Sequence, residues 1–134
     1  MLDPPSGAMP LRDSHNVALC RRTVAQIAQQ LGFGLTGQTM LVTAASELAR
    51  NAVIHGGGGE CLWDVVRDGN RTGIRLVFVD QGPGIADVAL AMTDGWTSGG
   101  GLGLGLSGAR RLVHEFDIVS HKGEGTRITI VRWK

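Results

Sequence analysis

The sequence predicts an α+β domain in which helices cover one face of a mainly antiparallel or mixed sheet. Two helical segments come first, two pairs of consecutive strands follow, and a further helix precedes the second pair. Strands joined by short turns form antiparallel hairpins, whereas a doubly wound sheet alternates strand and helix. The 134 residues suffice for one domain, and we expect a loose tail over residues 1–7 and the folded domain over 8–134.

The first half of the chain contains an edge strand and two long helices. The strand is expected over residues 8–12, and Asp13 or Ser14 can cap the helix that follows, whose apolar residues have helical spacing. The second helix is expected from about residue 36 to residue 55, with a stripe of leucine and alanine. The glycine run 56–59 ends that helix.

The second half of the chain predicts two strand pairs on either side of a glycine-rich region. A turn at Asp68-Gly69-Asn70 joins the first pair, and a turn at Gly123 joins the second. The expected elements are strands at 61–67 and 73–80, helices at 87–92 and 106–116, and strands at 117–121 and 126–133.

Composition argues against several classes of function. The net charge of +1 lacks the basic excess of a general nucleic-acid binder. The two cysteines lie far apart without CxxC spacing, which argues against a disulfide framework or a zinc site and indicates reduced thiols. No apolar run reaches the roughly 18 residues of a membrane span. We therefore expect a cytoplasmic protein that has neither nucleic acid nor a membrane as a partner.

Glycine is clustered rather than spread evenly along the chain. Of the 21 glycines, nine fall between residues 82 and 108 and four form the run 56–59. Clustered glycine beside polar residues indicates backbone that approaches a ligand closely. The only lysines are Lys122 and Lys134, so lysine-based phosphate grips have few candidates and a metal ion is the natural partner for phosphate charge.

Three short motifs carry candidate chemistry. In ELARN at 47–51, Glu47 and Asn51 share a helix face, and a carboxylate beside an amide oxygen suits Mg²⁺. In DQGPGI at 80–85, a carboxylate ends an apolar strand and two glycines follow it. GLGLSG at 103–108 opens a helix, whose free N–H groups suit phosphate oxygens.

Each motif alone has an ordinary alternative. A dinucleotide-binding GxGxxG needs a strand before it and an acidic residue at the end of the next strand, and both are missing, as is a Walker A loop. The first motif alone is compatible with a solvated helix face, and the second with a plain turn. The combination of all three, in this order, is more specific than any one of them.

Together the motifs resemble the nucleotide site of the GHKL ATPase and kinase superfamily, whose final adenine-pocket element is matched by Gly125-Thr126. The resemblance spans about residues 8–133 and implies a Bergerat-type α/β sandwich that binds ATP and Mg²⁺. It implies that Glu47 is a general base and that Asn51 coordinates Mg²⁺ bridging the phosphates. The implied ATP-binding residues are Asn51, Asp80 (which would accept the adenine amine), Gly82, Gly84, Gly103, Gly105 and Thr126.

Within that superfamily, three segments resemble the small bacterial serine/threonine kinases that phosphorylate STAS-domain proteins, closest to the RsbT type of stressosome switch kinase. They are GPGI at 82–85, DGWT at 94–97 and GGGLGLGL at 99–106. The resemblance implies an ATP- and Mg²⁺-dependent protein kinase in a partner-switching stress or sigma-factor pathway. A PP2C-type phosphatase or a sigma factor is a further implied partner.

One segment is more similar to the sister group, the anti-sigma-factor kinases of the RsbW and SpoIIAB kind. This segment is NAVIHG at 51–56. The alternative function is therefore an anti-sigma factor that sequesters a sigma factor and phosphorylates its STAS-domain antagonist. The sequence leaves open the identity of the partners, the acceptor residue, the oligomeric state and the roles of Arg50, His55 and Trp96.

Overall fold

A computed structural model describes residues 6–85, 88–92 and 105–134. The strands are β1 (Gly7–Leu11), β2 (Gly59–Asp68), β3 (Arg71–Asp80), β4 (Glu115–His121) and β5 (Gly125–Trp133), and the helices are α1 (Ser14–Gln30), α2 (Leu35–Ile54), α3 (Val88–Ala91) and α4 (Gly105–Arg111). The strands form one antiparallel sheet in the order β1-β2-β3-β5-β4. One hydrophobic core lies between the helices and the sheet, and the expected fold class is confirmed.

The two long helices form most of the layer that covers the sheet. At the start of α1, the Asp13 carboxylate accepts the N–H of Asn16 at 3.0 Å and so satisfies one of the free donors of the first turn. The buried stripe of α2 consists of small and branched apolar side chains: Leu41, Ala44, Ala45, Leu48, Ala49 and Ala52. This stripe sets the rotation of α2 and leaves Glu47 and Asn51, both half-buried, at its edge.

The central strand β3 sets the register of the sheet. Ile74, Leu76 and Phe78 alternate along it and are buried in the core. Its last residue, Asp80, is opposite Gly59 of β2 on one side and Thr126 of β5 on the other. The register therefore brings two predicted site residues, Asp80 and Thr126, side by side.

The helix expected over residues 106–116 is shorter in the structure, because α4 ends at Arg111 and β4 begins at Glu115. Phe116 fits the helical spacing of the sequence but pairs with Ile130 in the sheet. The N–H of His114 donates to the Val131 carbonyl at 3.0 Å, so the backbone has joined the sheet at this point. Pairing with β5 therefore overrides the local helical pattern.

Part of the glycine-rich region lies outside the described residues. Gly103, Trp96 and the motif at 94–97 belong to this part, as does Asp87 at the start of the expected short helix. Among the described residues, no helix combines the length and the apolar character needed to cross a membrane.

Replacing the cap of α1 tests the helix start. Asp13→Ala should lower the free energy of unfolding by about 1 kcal/mol, because the Asn16 N–H loses its acceptor. Asp13→Asn is the matched control and should stay within about 0.5 kcal/mol of the wild type, since asparagine caps as well as aspartate. Urea denaturation measures both, and equal losses in the two variants would contradict the capping role.

Candidate functional site

A cavity of about 200 Å³ opens where β3 ends, beside the C-terminal part of α2. Its lining residues are Asn51, His55, Gly56, Asp80, Pro83, Gly84, Ile85 and Thr126. The fold thus gathers four of the predicted site residues, from a helix, two strands and a loop, around one space. His55, whose role the sequence leaves open, also lines it, whereas Arg50 is not among its lining residues.

The Asp80 carboxylate is the most buried charged group of the cavity, with 6% of the residue exposed. Its Oδ1 accepts the N–H of Gly82 at 2.9 Å, and the backbone N–H of Thr126 on the paired strand lies near enough to favour the ionised carboxylate. Burial raises the pKa of Asp80 above its ordinary value, and these two donors oppose the shift because they favour the ionised form. A carboxylate accepts about four hydrogen bonds, so Asp80 keeps acceptor capacity for a ligand in the cavity.

A pair of hydroxyls lies beside Asp80. Thr126 Oγ1 is 2.8 Å from Ser120 Oγ, the last inward-facing side chain before the end of β4. Ser120 Oγ also accepts the N–H of Ile85 at 2.7 Å and lies 3.1 Å from the Gly125 carbonyl oxygen. The serine therefore joins the loop after β3 to the last two strands. Its only signal in the sequence is a polar residue in the alternating inward row of β4.

Two glycines hold the walls of the cavity close together. Gly84 has φ +73°, and a Cβ there would overlap the carbonyl oxygen of His121, so this position requires glycine. A Cβ on Gly56 would overlap the Asp80 carboxyl and lie 2.7 Å from the Ala52 carbonyl oxygen. The sequence predicted the loop glycine as a site residue, but it assigned Gly56 only to the end of a helix.

Two further predicted site residues contact each other one helical turn away from the cavity. The backbone N–H of Gly105, at the start of α4, donates to Glu47 Oε2 at 3.3 Å. Glu47 precedes Asn51 by four residues, which corresponds to about 6 Å along a helix. The arrangement extends from the buried acceptors at Asp80, past Asn51, to the Glu47–Gly105 pair.

Two side chains of α2 provide oxygen atoms of the kind that Mg²⁺ prefers. Among the described residues, no group of three His, Cys, Asp or Glu side chains could hold a metal by itself. The Asn51 amide and the Glu47 carboxylate offer oxygen ligands on one face of α2. Mg²⁺ typically takes one or two protein ligands and completes its shell with phosphate oxygens and water.

Comparison with known proteins defines the class of this protein. Residues 36–134 match the family described as "Histidine kinase-, DNA gyrase B-, and HSP90-like ATPase". This match covers more than half of the chain. The chain therefore belongs to this ATPase family, which confirms the superfamily that the three motifs resemble.

The relatives narrow the class further. The chain is 41% identical over 118 residues to "Serine/threonine-protein kinase RsbT" of Bacillus subtilis (strain 168), covering 88% of this chain and 89% of that protein. It is 32% identical over 123 residues to "Anti-sigma F factor" of Clostridium novyi (strain NT), covering 88% and 86%. The chain belongs with the RsbT-type kinases, and the anti-sigma F factors form the neighbouring group. These relatives confirm the expected family and, with it, the expected class of enzyme.

A solved structure supports the fold. "The crystal structure of the RsbU and RsbW domains of Rv1364c from Mycobacterium tuberculosis" matches with a TM-score of 0.66 at 21% identity, over 97% of this chain. The chain spans 33% of the length of that larger protein.

Adding one methyl group at Gly56 tests the close contact behind Asp80. Gly56→Ala should lower the free energy of unfolding by roughly 1–3 kcal/mol, because the new Cβ forces the Asp80 carboxyl to move. Gly37→Ala, near the start of α2, is the control. Its Cβ meets no atom closer than 3.6 Å, and alanine favours the helix, so we expect unchanged or higher stability. Thermal denaturation without ligand measures the stability of both variants. Equal stability of Gly56→Ala and Gly37→Ala would contradict the close contact at Gly56.

Proposed function

We propose that the chain transfers the γ-phosphoryl group of ATP to a serine or threonine of a STAS-domain regulatory protein, as part of a partner-switching pathway in the cytoplasm. The observation that carries the proposal is the cavity in which Asn51, Asp80, Gly84 and Thr126 meet. It combines buried acceptors with backbone that passes close by, as a flat base with an exocyclic amine requires. The RsbT relative supports the reaction type.

We assign the adenine end of the site to Asp80 and Thr126. The ionised carboxylate accepts the exocyclic amine of the base, and the Thr126 hydroxyl supports this contact directly or through water. Both residues are 6% exposed, so their hydrogen bonds to a ligand are shielded from water. Gly82 and Gly84 carry no side chain that would keep the base away from the loop.

We assign the phosphate end to Asn51, Gly105 and Glu47, together with Gly103, which lies outside the described residues. Asn51 would hold Mg²⁺, which neutralises phosphate charge when it is bound. The Gly105 N–H donates to Glu47 in this structure and would donate to a phosphate oxygen in the complex. An N–H engaged in this way no longer holds Glu47, whose carboxylate is then free to take the proton of the incoming hydroxyl.

The alternative function is an anti-sigma factor that binds a sigma factor and phosphorylates its STAS-domain antagonist. The segment at 51–56 and the anti-sigma F relatives favour it. Incubation with γ-labelled ATP and STAS-domain proteins tests the kinase reaction, and no transfer to any of them would contradict the proposal. Binding of a sigma factor by the same preparation, measured with and without ATP, distinguishes the alternative.

Replacing Asp80 separates ligand binding from folding. Asp80→Asn should weaken ATP binding about tenfold to a hundredfold, because a charged hydrogen bond to the amine is lost. Without ATP the variant should be at least as stable as the wild type at neutral pH, since the asparagine oxygen still accepts from Gly82 and no buried charge remains. Calorimetric titration and thermal denaturation measure the two effects, and unchanged ATP affinity would contradict the assignment.

The same pair of proteins should differ in pH dependence. Because burial raises the pKa of Asp80, the folded wild type binds this proton more tightly than the unfolded chain, and its stability increases as the pH falls between the two pKa values. Asp80→Asn lacks this titration. The difference in the free energy of unfolding between Asp80→Asn and the wild type should therefore become smaller as the pH falls.

Replacing Glu47 and Asn51 separates chemistry from metal binding. Glu47→Gln should keep the ATP affinity within about threefold of the wild type. It should lower the rate of phosphoryl transfer by about 10²–10⁴, which is the usual contribution of a general base. Asn51→Ala should instead weaken the Mg²⁺-dependent part of ATP binding. If both variants lose ATP binding equally, Glu47 is a metal or structural residue and its role as base is wrong.

A further inference from the structure

The Ser120 hydroxyl has one proton but lies within hydrogen-bond distance of two possible acceptors. It accepts the N–H of Ile85 at 2.7 Å. Its own proton can be donated either to the Gly125 carbonyl oxygen, 3.1 Å away, or to Thr126 Oγ1, 2.8 Å away. A hydroxyl carries one donor and two acceptor sites. The acceptor that Ser120 chooses therefore determines whether the Thr126 hydroxyl donates its own proton to Ser120 or to another group.

Only one of the two choices satisfies all three neighbours. If Ser120 donates to the Gly125 carbonyl, Thr126 donates to Ser120 Oγ, and the serine then accepts two hydrogen bonds and gives one. If Ser120 donates to Thr126 instead, the Gly125 carbonyl loses the serine as a donor and the Thr126 proton needs another acceptor. Buried polar groups are paired wherever geometry permits, and this condition favours the first arrangement.

We propose that Ser120 is a positioning residue that holds the proton of the Thr126 hydroxyl away from the cavity. Thr126 Oγ1 then offers only lone pairs to a ligand, and it lies beside the Asp80 carboxylate, which also only accepts. A ligand group that donates two hydrogen bonds matches this pair, whereas a carbonyl oxygen meets acceptors alone. Building on the proposed ATP site, Ser120 thus makes the cavity select 6-aminopurine nucleotides against 6-oxopurine nucleotides.

The proposed effect of Ser120 on the Thr126 proton can be distinguished from a general contribution of Ser120 to the stability of the fold. Without its hydroxyl, the Thr126 proton loses its internal acceptor and can rotate toward the cavity, where it would donate to the carbonyl of a 6-oxopurine. The loop would also lose the acceptor of the Ile85 N–H, but that loss affects every purine nucleotide alike. The affinity ratio between two nucleotides therefore reports the proton position and is insensitive to uniform weakening.

ATP and ITP provide the matched probes, because inosine replaces the 6-amine of adenine by a carbonyl. Calorimetric titration of both nucleotides should show a clear preference of the wild type for ATP. In Ser120→Ala the ATP-to-ITP affinity ratio should fall about tenfold, as expected for one hydrogen bond that changes from favourable to unfavourable. Ser120→Thr keeps the hydroxyl and should retain the wild-type ratio within about threefold.

A double-mutant cycle tests whether Ser120 acts through Thr126. Thr126→Val removes the hydroxyl, so adding Ser120→Ala to it should cause no further fall in the ratio. An unchanged ratio in Ser120→Ala, or an additive fall in the double variant, overturns the proposal while the ATP site itself stands. If the wild type binds neither nucleotide, the proposed function fails and the role of Ser120 with it. Should Ser120→Ala fail to fold, Ser120→Cys, whose thiol is a weak acceptor, replaces it in the cycle.

Discussion

A buried carboxylate at the end of the central strand is the constraint on which the rest of the site depends. The backbone N–H groups of Gly82 and Thr126 stabilise the ionised form of Asp80 in this buried position. The first donor requires the chain to turn sharply after β3, and the second requires the register between β3 and β5. Gly56 must be free of a side chain to let the carboxyl lie where it does. One buried carboxylate is thus in close contact with a turn, a neighbouring strand and a helix end.

Helix α2 relates this buried end of the site to its polar end. Its leucine and alanine stripe packs into the core and fixes the helix rotation, so Asn51 lines the cavity and Glu47 lies one turn away beside Gly105. The same helix therefore provides packing on one face and polar ligands along its edge. The double use of this helix lets a chain of 134 residues contain both a core and the proposed nucleotide site.

In the proposed role of Ser120, selectivity is a property of the assembled structure. At the end of β3 the Asp80 carboxylate only accepts, and the orientation of one proton decides whether the neighbouring Thr126 hydroxyl accepts or donates. Ser120 on the neighbouring strand accepts that proton, and the N–H of Ile85 in the loop holds the Ser120 hydroxyl in place. Specificity then depends on Ser120, which does not line the cavity, through the same requirement that buried polar groups be paired.

The sequence by itself determined the order of elements, the core stripe of α2 and the motifs at Glu47–Asn51 and Asp80–Gly84, because local spacing and residue type carry that information. It did not determine the end of α4, since Phe116 fits a helix locally and joins β4 only when β5 offers a partner. Gly56 and Ser120 were likewise missed, as their importance comes from Asp80, Ile85 and Thr126, which are distant in sequence. Only the tertiary structure could reveal them, because a close contact or a hydrogen bond between residues distant in sequence has no trace in local spacing.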